Sequence, residues 1–209
     1  MIKIVTGHFG SGKTELALNM ALEAGKGCAV VDIDIVNPYF RTNDVRDMLA
    51  AKGIDVIASR YASSNVDIPI VPAEALSAFE RKSTAIFDVG GDADGAAALG
   101  RFHEAFCTSG YEMLFVVNTR RPLTRNADEI IEYMREIEAV SRLEVTGVVN
   151  STNLGDETTA AIVNEGVPIC MNVCEKTGKK FMFSTAAPHV AKDVEGSVKM
   201  IERYMTLPY

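Results

Sequence analysis

The 209-residue chain is short of several things. It has only four cysteines, Cys28, Cys107, Cys170 and Cys174, with no C-x-x-C among them. A domain of this size does not need disulfide staples, so reduced thiols are expected. It has no block of consecutive basic residues, and Lys+Arg 21 against Asp+Glu 28 leaves a net charge of -7. The electrostatic footprint of a nucleic-acid binder is therefore missing, and nucleic acid is not an expected partner. No run approaches the roughly 18 apolar residues of a membrane span. Met1-Ile-Lys-Ile-Val meets Gly7 and Gly10 too soon for a signal peptide, so a cytoplasmic location is expected. Linkers, repeats and low-complexity tracts are lacking too. What remains is a globular composition, 47% hydrophobic and 23% charged. At about 150 residues per domain, a single domain over 1–209 is expected.

Short apolar runs alternate with helical patterns. The predicted strands are Ile2 to Thr6, Cys28 to Asp32, Val56 to Ala58, Thr84 to Asp88, Met113 to Asn118, Val145 to Asn150 and Val167 to Val173. The predicted helices are Lys13 to Ala24, Asp44 to Lys52, Ala73 to Lys82, Gly95 to Thr108, Asn126 to Val140, Asp156 to Glu165 and Val190 to Met205. Strands that are apolar on both faces, separated by helices, predict an α/β fold: a three-layer α-β-α sandwich with a mostly parallel sheet. Ligands of such sheets lie beyond the carboxyl ends of the strands. Those ends are rich in Gly, Asp and Asn.

Gly7-His8-Phe9-Gly10-Ser11-Gly12-Lys13-Thr14 satisfies G-x-x-x-x-G-K-[ST] between an apolar strand and a helix beginning Glu15-Leu16-Ala17. Glycines let successive N–H groups turn inward around phosphate oxygens, and the helix N-terminus adds partial positive charge. Residues Gly7 through Thr14, with Glu15, are the expected nucleotide contacts. Lys13 is expected on the β- and γ-phosphates and the Thr14 hydroxyl on Mg²⁺.

The second strand ends Val31-Asp32-Ile33-Asp34, which puts both carboxylates on one side of an extended chain. Asp32 is expected to hold the waters of magnesium and Asp34 to orient the attacking water. The alternative for either is a cap on the helix beginning near Asn43, or a surface position. The fourth strand ends Asp88-Val89-Gly90-Gly91, which reads as a Walker B carboxylate followed by a glycine whose N–H senses the γ-phosphate. The alternative is a turn held by Asp88. Lys13, Asp34 and Asp88 are thus the expected catalytic groups, and Thr14, Asp32, Asp34 and Asp88 the expected magnesium set.

With these motifs in order, the sequence resembles the SIMIBI class of P-loop NTPases, and within it the MinD/ParA and CobQ/CobB-type nucleotide-binding domains. The resemblance places Asp34 in switch I and Asp88 at the head of switch II, and implies that Asn150 contacts adenine. A strand-end turn is the other reading of Asn150. The resemblance also implies a protein partner and a nucleotide-dependent homodimer. One position departs from it: His8 stands where MinD and ParA relatives carry a signature lysine. An imidazole is shorter and mostly neutral at pH 7. Arg41 is the candidate replacement cation.

A Mg·ATP-dependent switch or ATPase acting on a protein partner is the leading expectation. The rival is an ATP-dependent enzyme of the CobB or dethiobiotin synthetase kind that activates a small carboxylate or amine, with Arg120, Arg121 and Arg125 binding an acidic substrate. A GTPase metallochaperone is disfavoured, because Asn150-Ser151-Thr152-Asn153 lacks the N-K-x-D guanine reader. Cys107, Cys170 and Cys174 read as buried or surface thiols rather than metal ligands. The stripe Val190, Val194, Val198, Ile201 and Met205, on a helix of mixed charge, reads as packing on the domain, so stable membrane association is not expected.

Overall fold

The computed structural model describes residues 1–33, 45–58 and 73–205. Eight parallel strands run through it: β1 (Ile2–Thr6), β2 (Ala29–Asp32), β3 (Asp55–Ala58), β4 (Ala85–Asp88), β5 (Tyr111–Val117), β6 (Gly147–Asn150), β7 (Lys180–Ala186) and β8 (Val198–Met200). Their order is β3-β2-β4-β1-β5-β6-β7-β8. The helices are α1 (Lys13–Ala24), α2 (Arg46–Ala51), α3 (Ala93–Gly100), α4 (His103–Ser109), α5 (Ala127–Ser141), α6 (Ala160–Thr177) and α7 (Pro188–Ala191).

Because side chains alternate along a strand, each strand feeds two cores. Ile4, Val31, Phe87, Phe115 and Val148 join one core with Leu99, Phe106, Met134 and Val173 of the helices. Val5, Val30, Ile86, Val116 and Val149 join the other with Leu16, Leu18, Leu49 and Met205. The sheet is covered on both faces, which is why its strands read as unbroken apolar runs.

Since all strands are parallel, every carboxyl end lies at one edge of the sheet. β1 sits between β4 and β5, with β2 next to β4. The register sets Asp32 opposite Asp88 and Val5 opposite Asp88.

Three expectations fail, two of them in the last third of the chain. Val167 to Val173 is not a strand but the middle of α6, which runs through Pro168. Its buried residues Val163, Gly166, Cys170, Val173 and Cys174 recur at three and four, which is helical spacing. The strand lies later, at Lys180–Ala186. Val190 to Met205 is not one helix: α7 ends at Ala191, Gly196 takes a left-handed φ of 80° that interrupts the pattern, and Val198–Met200 pairs with β7. Gly95 to Thr108 is likewise split into α3 and α4 at Arg101-Phe102.

Gly166 decides how closely α6 approaches the sheet. A Cβ there would run into the Thr152 and Asn150 side chains. Gly166→Ala is therefore expected to destabilise the protein by about 1–3 kcal/mol in chemical denaturation, as overpacked cores do. A wild-type unfolding midpoint would contradict this.

Candidate functional site

The phosphate loop is built where β1 turns into α1. Gly10 and Gly12 have φ of 70° and 93°, a left-handed conformation that side chains rarely adopt. Lys13 is only 6% exposed, and its Nζ donates to the His8 carbonyl across the loop at 3.1 Å. The Ser11 hydroxyl is fully buried and, among the described residues, has no hydrogen-bond partner. A loop folded around its own lysine, with a buried hydroxyl unsatisfied, is a cradle suited to anionic oxygens.

β4 brings the second half of the site. Asp88 is buried, and Gly91 lies against the phosphate loop so closely that a Cβ would sit 2.6 Å from the Phe9 nitrogen and 2.8 Å from Lys13 Nζ. Just after it, Asp92 caps α3 by accepting from the Gly95 N–H at 2.9 Å. Gly95 also has no room for a side chain, since its Cβ would lie 2.6 Å from the Gly90 carbonyl oxygen.

Tyr133 of α5 ties these parts together. Its hydroxyl donates to the Gly91 carbonyl, and its ring meets that of His8 edge-on at 5.0 Å. Burial pushes the Tyr133 phenol up to about 12, with Asp92 and Glu136 adding to the rise, so it stays a donor at any ordinary pH.

His8 is pulled below its ordinary 6.5, mainly by burial. Its bond to the Phe9 backbone opposes this, and the cations of Lys13 and Arg121 reinforce it. The imidazole is therefore neutral at pH 7 and does not stand in for an always-charged lysine. Its contribution to stability is present above pH 6.5 and is lost as pH falls through the lowered folded value. An imidazole NMR titration is expected to give a midpoint below 6.5; one at or above 6.5 would contradict the burial argument.

The ends of β5 and β6 close the other side. Ser151 places its hydroxyl 3.0 Å from where a Cβ of Gly12 would stand, and it accepts from Thr185 Oγ1 of β7 at 2.9 Å. Asn118 is fully buried: its Oδ1 accepts from the Arg120 N–H at 3.0 Å and the Asn153 N–H at 3.3 Å, and its Nδ2 donates to the Asn153 carbonyl at 3.2 Å. Arg121 Nε donates to the Gly10 carbonyl at 3.2 Å.

Solved structures share this fold. The cell division protein FtsY from Thermotoga maritima matches at 19% identity with a TM-score of 0.57, covering 89% of this chain and 61% of its own. The signal recognition particle receptor FtsY from Elizabethkingia anophelis matches at 15% identity and 0.55, covering 93% of this chain and 61% of its own. A structure of that receptor in complex with GDP matches at 16% and 0.53, over 88% of this chain and 56% of the receptor. The chain shares the α/β fold of these FtsY structures. It spans about three fifths of the length of these FtsY chains. No protein-family model and no curated protein matches the sequence.

The fold brings Gly7 through Thr14, Asp32, Asp88 and Gly91 to one edge of the sheet. Asp34 and Arg41 lie outside the described residues. Two expected contacts turn elsewhere. The Glu15 carboxylate accepts from the Tyr204 and Met205 N–H groups, both at distances near 2.9 Å, and so faces the C-terminal segment. The Asn150 side chain is fully buried, donating to the Val163 carbonyl at 2.9 Å and to Ser184 Oγ at 3.1 Å. Its Oδ1 accepts from the Thr152 N–H at 3.2 Å, so the amide braces the loop after β6 from within.

Among the described residues no group of three or more His, Cys, Asp or Glu could hold a metal ion. Cys170 and Cys174 are core residues of α6 whose thiols are pushed up by burial. Cys107 is exposed, with Sγ 3.6 Å from His103 Nε2 one helical turn away. No helix among the described residues is long and apolar enough to cross a membrane.

Proposed function

We propose that the chain, as a single cytoplasmic domain over 1–209, binds Mg·ATP in the Gly7–Thr14 loop and acts as a nucleotide-dependent switch on a protein partner. The observation that carries this reading is the seat of Gly91 against Phe9 and Lys13. A γ-phosphate held by Lys13 reaches the Gly91 backbone. The response then has two routes outward, through the Asp92-capped start of α3 and through Tyr133 into α5.

The residues present fit a magnesium ion. Asp32 and Asp88 end adjacent strands in register, and Thr14 follows the loop lysine. Two carboxylates and a hydroxyl leave the remaining positions to phosphate oxygens and water, which is how Mg²⁺ is usually held. When bound, the ion neutralises charge on the terminal phosphates. Asp34 is the proposed partner of the attacking water.

Adenine is the proposed base. A guanine reader needs a carboxylate to accept from the ring N–H and amino groups, whereas the loop after β6 offers Asn153, whose side chain donates to Ser151 O at 2.7 Å and accepts from the Gly155 N–H at 3.2 Å. The next carboxylate along the chain, Asp156, is paired with Arg203 at 2.8 Å. One FtsY relative is described with GDP, so the base is the point on which this chain is proposed to differ.

Equilibrium binding of ATP, ADP, GTP and GDP with Mg²⁺ tests the reading. ATP and ADP are expected to bind and the guanine nucleotides to bind at least about tenfold more weakly, the cost of one unmatched polar contact. Preference for GTP would overturn the base assignment. Binding of none would overturn the site.

A further inference from the structure

With a neutral imidazole at its second position, the phosphate loop carries Lys13 as its own cation, and any further cation comes from a neighbouring segment. Three arginines lie on the turn between β5 and α5. Arg120 is committed to Glu165 of α6 in an ion pair. Arg125 stands at the entry to α5, where its N–H donates to Glu129. Arg121 alone of the three reaches the phosphate loop. Its Nε donates to the Gly10 carbonyl, and the flat of its guanidinium lies 3.1 Å from where a Cβ of Gly10 would be. Among the described residues it has no carboxylate partner.

The turn that carries Arg121 is held firmly. The Arg121 N–H donates to the Asn118 carbonyl at 3.1 Å, and the buried Thr124 hydroxyl donates to the same oxygen at 2.8 Å. Leu123 takes a left-handed φ of 62°, an uncommon conformation for a leucine that persists only where the surroundings impose it. An exposed arginine would ordinarily roam over many rotamers. Here its backbone is pinned and its head is docked on the middle glycine of the loop.

We infer that Arg121 is a second phosphate-binding cation of this site, beside Lys13, supplied by the same chain where His8 offers none. It takes oxygens of the terminal phosphates when a nucleoside triphosphate is bound. The Gly10 carbonyl is a neutral acceptor with which guanidinium hydrogen bonds are weaker than with an anion, so exchange for a phosphate oxygen is favourable. A rigid planar donor set suits phosphate better than an ammonium does. The inference rests on the nucleotide reading above, and it reassigns Arg121 from the acidic-substrate role that its sequence position suggested.

The test is calorimetric titration with Mg·ADP and with a non-hydrolysable Mg·ATP analogue on wild type, Arg121→Ala, Arg121→Lys, Lys13→Ala and, as an exposed control on α5, Arg135→Ala. Arg121→Ala is expected to weaken the triphosphate about tenfold to a hundredfold, the range for a hydrogen bond between charged groups, and the diphosphate much less. Arg121→Lys should recover part of the loss, and millimolar guanidinium should recover part of it in Arg121→Ala. Arg135→Ala should match wild type. If Arg121→Ala binds the triphosphate as wild type does while Lys13→Ala does not, the role of Arg121 is overturned and the site stands. Equal loss of both nucleotides in Arg121→Ala without guanidinium recovery also overturns it, since that is what mere support of the loop would give. Undiminished binding in Lys13→Ala overturns the underlying reading instead.

Discussion

Lys13→Ala is expected to lower affinity for Mg·ATP by about a hundredfold or more, because it removes a desolvated ammonium from the centre of the anion cradle. The side chain is almost fully buried, and its Nζ donates to the His8 carbonyl across the loop. A buried cation at the centre of a glycine-rich loop is poised for an anionic partner. In the wild-type protein, ligand at 100 times its Kd adds about 2.7 kcal/mol to stability. That increment should appear as a thermal shift with Mg·ATP and should vanish in Lys13→Ala. Thr14→Ala should retain part of the affinity but lose its magnesium dependence. An undiminished shift in both variants would remove the phosphate-loop assignment.

Gly91→Ala should separate binding from switching. The φ of Gly91 is one that other residues adopt, so the constraint is space: the methyl would enter a gap already filled by the Phe9 nitrogen and Lys13 Nζ. The Lys13 head can swing aside, but the Phe9 nitrogen and the Gly7 carbonyl are backbone of the phosphate loop and cannot yield cheaply. Either the Gly90–Asp92 turn backs away or the loop does, and overpacking of this kind costs about 1–3 kcal/mol. With the turn displaced, diphosphate affinity should stay within a few-fold of wild type. Triphosphate affinity should fall about tenfold, consistent with loss of a hydrogen bond to a charged group. Sedimentation should then no longer distinguish the ATP and ADP states. If the variant still separates them as wild type does, Gly91 is not the sensor.

Much of this site is legible in the sequence because its chemistry is local. The eight residues Gly7 through Thr14 sit between a strand and a helix that their own neighbours predict, and Asp32 and Asp88 each close an apolar run. Parallel register then brings them together at one edge. Other contributors carry no local signal. Tyr133 lies mid-helix in α5, with nothing in its flanking residues to mark it, and reaches Gly91 only through the packing of α5 on the sheet. Ser151, just past β6, stands beside Gly12 and accepts from Thr185 of β7. Arg121 is one of three arginines whose fates diverge by a single turn.

The misread segments have physical causes as well. Val167-Pro168-Ile169 imitates a short strand because a proline interrupts the helical reading, yet α6 keeps its buried face at three- and four-residue spacing. The stripe Val190 to Met205 has a four-residue period that a left-handed Gly196 breaks. Asn150 occupies the position the resemblance assigns to adenine, and its hydrogen bonds to Val163, Ser184 and Thr152 only emerge once α6 and β7 are packed on β6.

The central claim is that the γ-phosphate is read at Gly91. Hydrogen exchange over residues 88–95 measures it most directly, with the protein saturated either by Mg·ADP or by a non-hydrolysable Mg·ATP analogue. Exchange in that segment is predicted to slow in the triphosphate state relative to the diphosphate state. Identical exchange in the two states, with both nucleotides bound, would contradict the account.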